Sequence, residues 1–194
     1  MAKKQIPVSK ITLLLLIGAM AMSCPAPSLA APSLPDSPII EIDTGGHKAK
    51  INDIFFTNDG KYLVSASDDK TVRVWDIHTG KTVRIIRGQI GQGHEGKIYA
   101  AALSPDNRWL SMGGWFTGMP EERDAIRLID FSTGKVKQLL KGHSNVILGL
   151  AFSFDSRLLI SSSADTTARI WEIKTGQCLH TLKGHSQFIY AAAF

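Results

Sequence analysis

Cysteine is almost missing from this chain: the 194 residues hold two, Cys24 and Cys178. With a leader removed after Ala30, Cys178 stands alone, and one thiol makes no internal disulfide, so the exported fold must rest on packing. Charge of one sign is equally sparse. Lys3, Lys4 and Lys10 supply three of the 22 basic residues, and none of the 17 acidic ones precedes Ala31, so the formal +5 falls to about +2 beyond the leader. That is too weak and dispersed for nucleic-acid binding, which takes a concentrated basic face. No apolar run reaches the roughly twenty residues of a bilayer-spanning helix, so no membrane span is expected. Helical periodicity is lacking throughout the mature chain. With no helix to receive it, a phosphate-cradling glycine loop is excluded. Nor do His, Cys and Asp gather at ligand spacing, so no metal and no other cofactor is expected.

The longest apolar run, Ile11–Met22, follows a basic start and precedes the small residues Ser28-Leu29-Ala30. This order is that of a secretory signal peptide over residues 1–30, and it predicts a periplasmic or secreted product. Residues 31–38, rich in Pro and Ser, read as a flexible spacer. Ala21-Met22-Ser23-Cys24 loosely resembles a bacterial lipobox, which makes a lipid anchor at Cys24 the alternative. Cys178 falls in a predicted strand, as a small buried hydrophobe would.

What the chain does have is a repeat. Gly46-His47, Gly93-His94, Gly142-His143 and Gly184-His185 each open a similar block. Counted from the His, Trp75 and Trp171 both fall at +28, Asp69 and Asp165 at +22, and Asp59, Asp106 and Asp155 at +12. Such self-similarity marks one supersecondary unit copied in tandem. Within a copy, short β-branched and aromatic runs alternate with Asp/Gly turns: Ile51–Phe56, Tyr62–Ser67, Thr71–Trp75 and Thr82–Ile86 in the first. Antiparallel strands, not helices, follow from that punctuation. The copies span about 46–88, 93–141 and 142–183, and a fourth begins at 184–194. The third is 42 residues from His to His, whereas the first is 47 and the second 49. The surplus lies around Arg87–Gln92 and within Gly114–Asp124.

Gly-His at one end and Trp-Asp at the other, with a period near 42, resembles the WD-repeat family of β-propellers. The residues that carry the likeness are Gly46-His47 with Val74-Trp75-Asp76, and Gly142-His143 with Ile170-Trp171-Glu172. More finely, the Gly88–Tyr99 and Ile126–Lys135 segments resemble the amino-terminal part of exported bacterial propellers, some of which continue into a caspase-like peptidase domain. The resemblance implies an all-β fold of four-stranded antiparallel blades over 39–194, with three full repeats in an incomplete ring. Pro38–Asp43 is expected to supply a ring-closing strand. It further implies a fragment of a longer protein, and self-association through unpaired blade edges is a second expectation.

Each good copy holds the ingredients of a hydrolytic triad: His47, Ser65 or Ser67, and Asp69; then His143, Ser161 or Ser163, and Asp165. An enzyme needs one active site, not one per repeat. In the family these groups join Trp75 and Trp171 in a buried hydrogen-bond network, and a buried imidazole must indeed satisfy both nitrogens. The second copy departs, with Gly114 at the Ser67 and Ser163 position and Ile129 at that of the Trp. Drift in a tolerant repeat explains this, and so does a docking surface. The two insertions are expected to rise side by side, presenting Trp115, Phe116 and Met119 with Tyr99 and Arg87 to another protein. An alternative folds Trp115 and Phe116 inward to replace the lost Trp. A non-catalytic interaction scaffold is the expected function. The regulatory propeller of a caspase-like enzyme is the competing one, and a small-ligand sensor built on the central channel a weaker third.

Overall fold

A computed structural model describes residues 45–88, 91–116 and 124–194. The leader, the spacer, the strand expected at Pro38–Asp43 and Met119 lie outside the described residues. Twelve strands follow one another, and no helix occurs among the described residues. The first sheet holds β1 (Ile51–Phe56), β2 (Tyr62–Ser67), β3 (Thr71–Asp76) and β4 (Thr82–Arg87). The second holds β5 (Ile98–Leu103), β6 (Trp109–Gly114), β7 (Ile126–Asp130) and β8 (Val136–Leu140). In the third are β9 (Ile147–Phe152), β10 (Leu158–Ser163), β11 (Ala168–Glu172) and β12 (Cys178–Leu182). Every sheet is an antiparallel meander in chain order, as short hairpin connections require. All three carry irregularities at two matching places, one near the start of the first strand and one where the third strand pairs with the fourth, as at Ile51/Asp53 and opposite Val74/Trp75. Bulges repeated in register give each sheet the same added twist.

The turns follow from their residues. Gly80, Gly134 and Gly176 sit at φ 66°, 71° and 73°. In that left-handed conformation each returns its N–H to the carbonyl of Asp76, Asp130 or Glu172, at 2.9, 2.8 and 2.7 Å. The turn between the first two strands of a sheet has Gly60, Asn107 or Ser156 in the same conformation. There the side chain adds a staple to the preceding sheet. Asn107 Oδ1 accepts the Asn58 N–H at 2.9 Å, and Ser156 Oγ accepts the Asp106 N–H at 3.2 Å.

The sheets bury apolar faces against one another. Val64, Val72, Val74 and Ile86 of the first meet Ile98, Leu110, Met112 and Ile129 of the second. Between second and third, Ile126, Leu128 and Leu140 meet Ile147, Leu159 and Trp171. A Cβ on Gly113 would stand 2.6 Å from the Cβ of Ile147, so glycine is what admits this close approach. Past β12 the chain lies over the third sheet, where Ile189 donates its N–H to the Ser163 carbonyl at 3.2 Å. Residues 183–194 form no strand. Cys178 opens the outer strand β12 and is only half-buried, less enclosed than its sequence context predicts.

Candidate functional site

In the third sheet, Trp171 on β11, Ser161 on β10 and His143 before β9 form a chain with Asp165. The Trp171 indole N–H donates to Ser161 Oγ at 2.8 Å. Ser161 Oγ lies 2.7 Å from His143 Nε2, and His143 Nδ1 lies 2.7 Å from Asp165 Oδ2. The indole only donates and an ionised carboxylate only accepts, so the imidazole carries a proton on Nδ1 and the Ser161 hydroxyl is free to donate to Nε2. Burial of the imidazole favours the neutral ring. Burial lowers the pKa of His143, against the pull of Asp165. For Asp165, burial pushes up but bonds from Thr167, His143 and the Ser144 N–H prevail and hold it at about 2. Ser163 supports the carboxylate's loop, accepting the Asp165 N–H at 3.0 Å and donating to the Val146 carbonyl at 2.9 Å.

The first sheet repeats the arrangement. Trp75 Nε1 donates to Ser65 Oγ at 2.7 Å, Ser65 Oγ is 2.7 Å from His47 Nε2, and His47 Nδ1 is 2.8 Å from Asp69 Oδ2. Ser67 accepts the Asp69 N–H at 3.1 Å and donates to the Ala49 carbonyl. The Asp–His–Ser distances alone are those of a hydrolytic triad. Accessibility separates the two cases, because Ser65 and Ser161 are 1% and 0% exposed and an indole N–H already occupies each hydroxyl oxygen. These groups tie the loop before the first strand to the sheet.

The second sheet is built differently. Register places Ile129 opposite Leu110, as Trp75 stands opposite Leu63 and Trp171 opposite Leu159. Met112 takes the Ser65 and Ser161 position, facing Arg127 as those face Arg73 and Arg169. A Cβ on Gly114 would strike the Lys97 carbonyl oxygen and stand 3.0 Å from the Ile98 Cα. Trp115 donates to the Lys97 carbonyl at 3.0 Å, as Asp68 and Ala164 donate to Lys50 and Val146 in the other sheets, and Gly96 adds a bond to the Trp115 carbonyl at 2.7 Å.

The aromatic pair predicted to face a partner divides. Phe116, two residues past Gly114 as Asp69 is past Ser67, is 0% exposed, with the Arg127 guanidinium 4.0 Å above its ring. It is core, and leaves the candidate surface, because no polar network remains here for an Asp to serve. Trp115 stays 41% exposed, with its ring centroid 6.0 Å from that of His94. The loops after β4 and β6 thus meet, through His94 and Gly96 on one and Trp115 on the other. Arg87 is exposed at the end of β4 and Tyr99 half-buried on β5. Burial raises the Tyr99 hydroxyl pKa, with a smaller contribution from the charge of Asp68. Asp68 itself binds Lys97 at 3.0 Å and the Asn52 amide at 2.6 Å, joining first sheet to second. Neither Asp68 nor the Arg127 stack was found from the sequence; alignment of the copies in register would have flagged both Met112 and Phe116.

The family model described as WD domain, G-beta repeat matches residues 39–76, 81–115 and 134–172, more than half of the chain. The chain belongs to the WD-repeat family. Its matched segments straddle the sheets: 134–172 takes β8 from the second sheet and β9 to β11 from the third. Among relatives, apoptotic protease-activating factor 1 of Rattus norvegicus is 33% identical over 129 residues, covering 66% of this chain and 9% of that protein. Nuclear distribution protein PAC1 of Arthroderma benhamiae is 31% identical over 142 residues, covering 66% of this chain and 30% of that one. The chain therefore spans under a third of the length of either. A crystal structure of the RRP9 WD40 repeats superposes with a TM-score of 0.67 at 24% identity, over 76% of this chain and 43% of that one, and shares the fold. WD-repeat propellers generally serve as scaffolds for interactions with other proteins. Among the described residues, no helix is long and apolar enough to cross a membrane, and no group of three His, Cys, Asp or Glu is placed to hold a metal ion.

Proposed function

We infer that this WD-repeat chain is an exported, non-catalytic scaffold that engages another protein through the strand ends bearing its two insertions. The observation that carries this is Trp115. In the first and third sheets Trp75 and Trp171 are tied into hydrogen-bonded networks, Trp171 at 1% exposure, whereas Trp115, just past β6 where those sheets have Asp68 and Ala164, stands 41% exposed with its ring tilted against His94. A large aromatic ring fixed in place and left in water is what a binding hot spot presents. Arg87 and Tyr99 belong to the same strand ends, and Met119 to the insertion beside it. Export rests on the leader, whose basic start, apolar run and small residues before Ala31 direct secretion.

A photoreactive amino acid at position 99 tests this in the source cell. It is expected to form a protein adduct in the envelope or secreted fraction, where the mature chain starts at Ala31. The adduct should vanish in Trp115→Ser and when the Gly114–Asp124 segment is shortened. The same adduct in both variants would sink the docking role, and an intact Met1 on the recovered chain would sink export.

A further inference from the structure

A groove of about 730 Å³ opens between the second and third sheets. It lies at the strand ends away from Trp115. Trp109 opens β6 and Trp115 follows it, so the two ends are on the order of 20 Å apart at the rise of an extended strand. Trp109 and Leu128 wall the groove on the second sheet, and Ile173 and Leu179 on the third. Leu179 is 44% exposed.

The matching place between first and second sheets is plugged. Phe131 follows the turn-starting Asp130 as Ile173 follows Glu172, and their N–H groups donate to the equivalent carbonyls of Arg108 and Arg157 at 2.9 and 3.0 Å. The Arg84 guanidinium lies over the Phe131 ring, 5.8 Å from its centroid, and donates to the Phe131 carbonyl. Register puts Gln138 opposite Leu128 as Arg84 is opposite Val74. The second seam thus has Ile173 for the aromatic ring and Gln138 for the cation, and Gln138 is turned to the Thr175 carbonyl at 2.9 Å. One ring and one cation are absent from a place that its twin fills.

Charge around the groove is uneven in a useful way. Arg108, Lys137, Arg157 and Lys174 line it, and none of the four forms an ion pair among the described residues. Arg108 lies over the Trp109 ring at 4.8 Å. Asp106, Asp155 and Glu172 line the groove as well, three anions against the four cations, but each carboxylate is turned to donors within its own turn. Asp106 Oδ1 accepts from the Ser104 hydroxyl and the Arg108 N–H, Asp155 Oδ1 from the Ser153 hydroxyl and the Arg157 N–H, and Glu172 Oε2 from the Thr175 hydroxyl.

We propose that this groove binds an extended acidic segment of a partner protein that carries an aromatic side chain. The ring seats against Trp109 and Ile173, where the other seam holds Phe131, and the flanking carboxylates meet Arg108, Arg157 and the two lysines. Volume and apolar walls are in the range of peptide and small-ligand sites, and cations over an aromatic floor select acidic ligands by both charge and stacking. The site is separate from the Trp115 surface and does not depend on it.

Fluorescence anisotropy of the full chain tests it. The probe is a labelled nonapeptide with one central Phe flanked by Glu and Asp, and its control has Lys at every acidic position. The acidic peptide is expected to bind, more weakly as salt is raised, and the lysine peptide is not. Ile173→Phe, which restores the plug, and Arg157→Glu, at an exposed position, are each expected to weaken binding about tenfold or more, with circular dichroism unchanged. Trp115→Ser should leave it unaltered. Should Ile173→Phe fail to fold, Arg157→Glu carries the test alone. Equal binding of the lysine peptide, wild-type affinity in Arg157→Glu, or no binding of the acidic peptide overturns the proposal.

Discussion

At the scale of single residues, the buried networks tie stability to proton concentration, and the sign can be worked out. The pKa of His143 is depressed below 6.5 and that of Asp165 from 3.8 to about 2. For both groups the unfolded chain holds more protons than the folded one between the two values, so stability rises with pH across that window. It is fully present above about pH 6.5 and is lost in two stages on acidification, from His143 first and from Asp165 between about pH 4 and 2. Asp165, whose side chain is 5% exposed, contributes up to about 2 kcal/mol to the second stage. Denaturant melts of Asp165→Asn are therefore expected to lose stability less steeply below pH 4 than the wild type, and an unchanged slope would refute the assignment. Most of this network was legible beforehand, because His, Ser, Asp and Trp recur at fixed offsets and a buried imidazole needs two partners. Ring tautomer and Ser accessibility were not, since both depend on which way a side chain faces across the sheet.

Strands and turns were the most legible level, and the second sheet shows where legibility stops. Its first two strands, Ile98–Leu103 and Trp109–Gly114, follow the same alternation and turn chemistry as their siblings. Gly114, however, looks in the sequence like a Ser that has been lost. In the structure it is a glycine that the neighbouring backbone demands, since any Cβ meets Lys97 and Ile98. Gly114→Ser, although it would make the second copy more like the others, is expected to destabilise the protein by about 1–3 kcal/mol through overpacking. Urea unfolding measures this directly, and a neutral or stabilising result would mean that β5 moves aside freely. The division of Trp115 from Phe116 was hidden for a related reason. Adjacent residues leaving a strand point to opposite sides, and the sequence marks both only as aromatic.

Across the whole molecule, the two seams between sheets are chemically unequal. The first is fastened at its outer strand by Arg84 on Phe131, the second by the single amide bond of Gln138. Arg84→Ala is expected to cost about 1 kcal/mol and to raise amide exchange in β4 and in the Asp130–Gly134 turn while leaving β9 and β10 protected. Uniform exchange across all three sheets would show that the seam carries no share of the stability. The composition alone could not have distinguished the seams, since Phe131 and Ile173 are equally apolar. The offset between repeat and sheet has a mechanical consequence. Two of the stretches that the family model recognises, 81–115 and 134–172, begin as the outer strand of one sheet and run on into the next. Tension along the backbone thus reaches each sheet through its rim strand and the neighbouring sheet together. A pull on either stretch would have to unstitch two sheets, so the links in the chain overlap and share load, as bricks do when their joints are staggered.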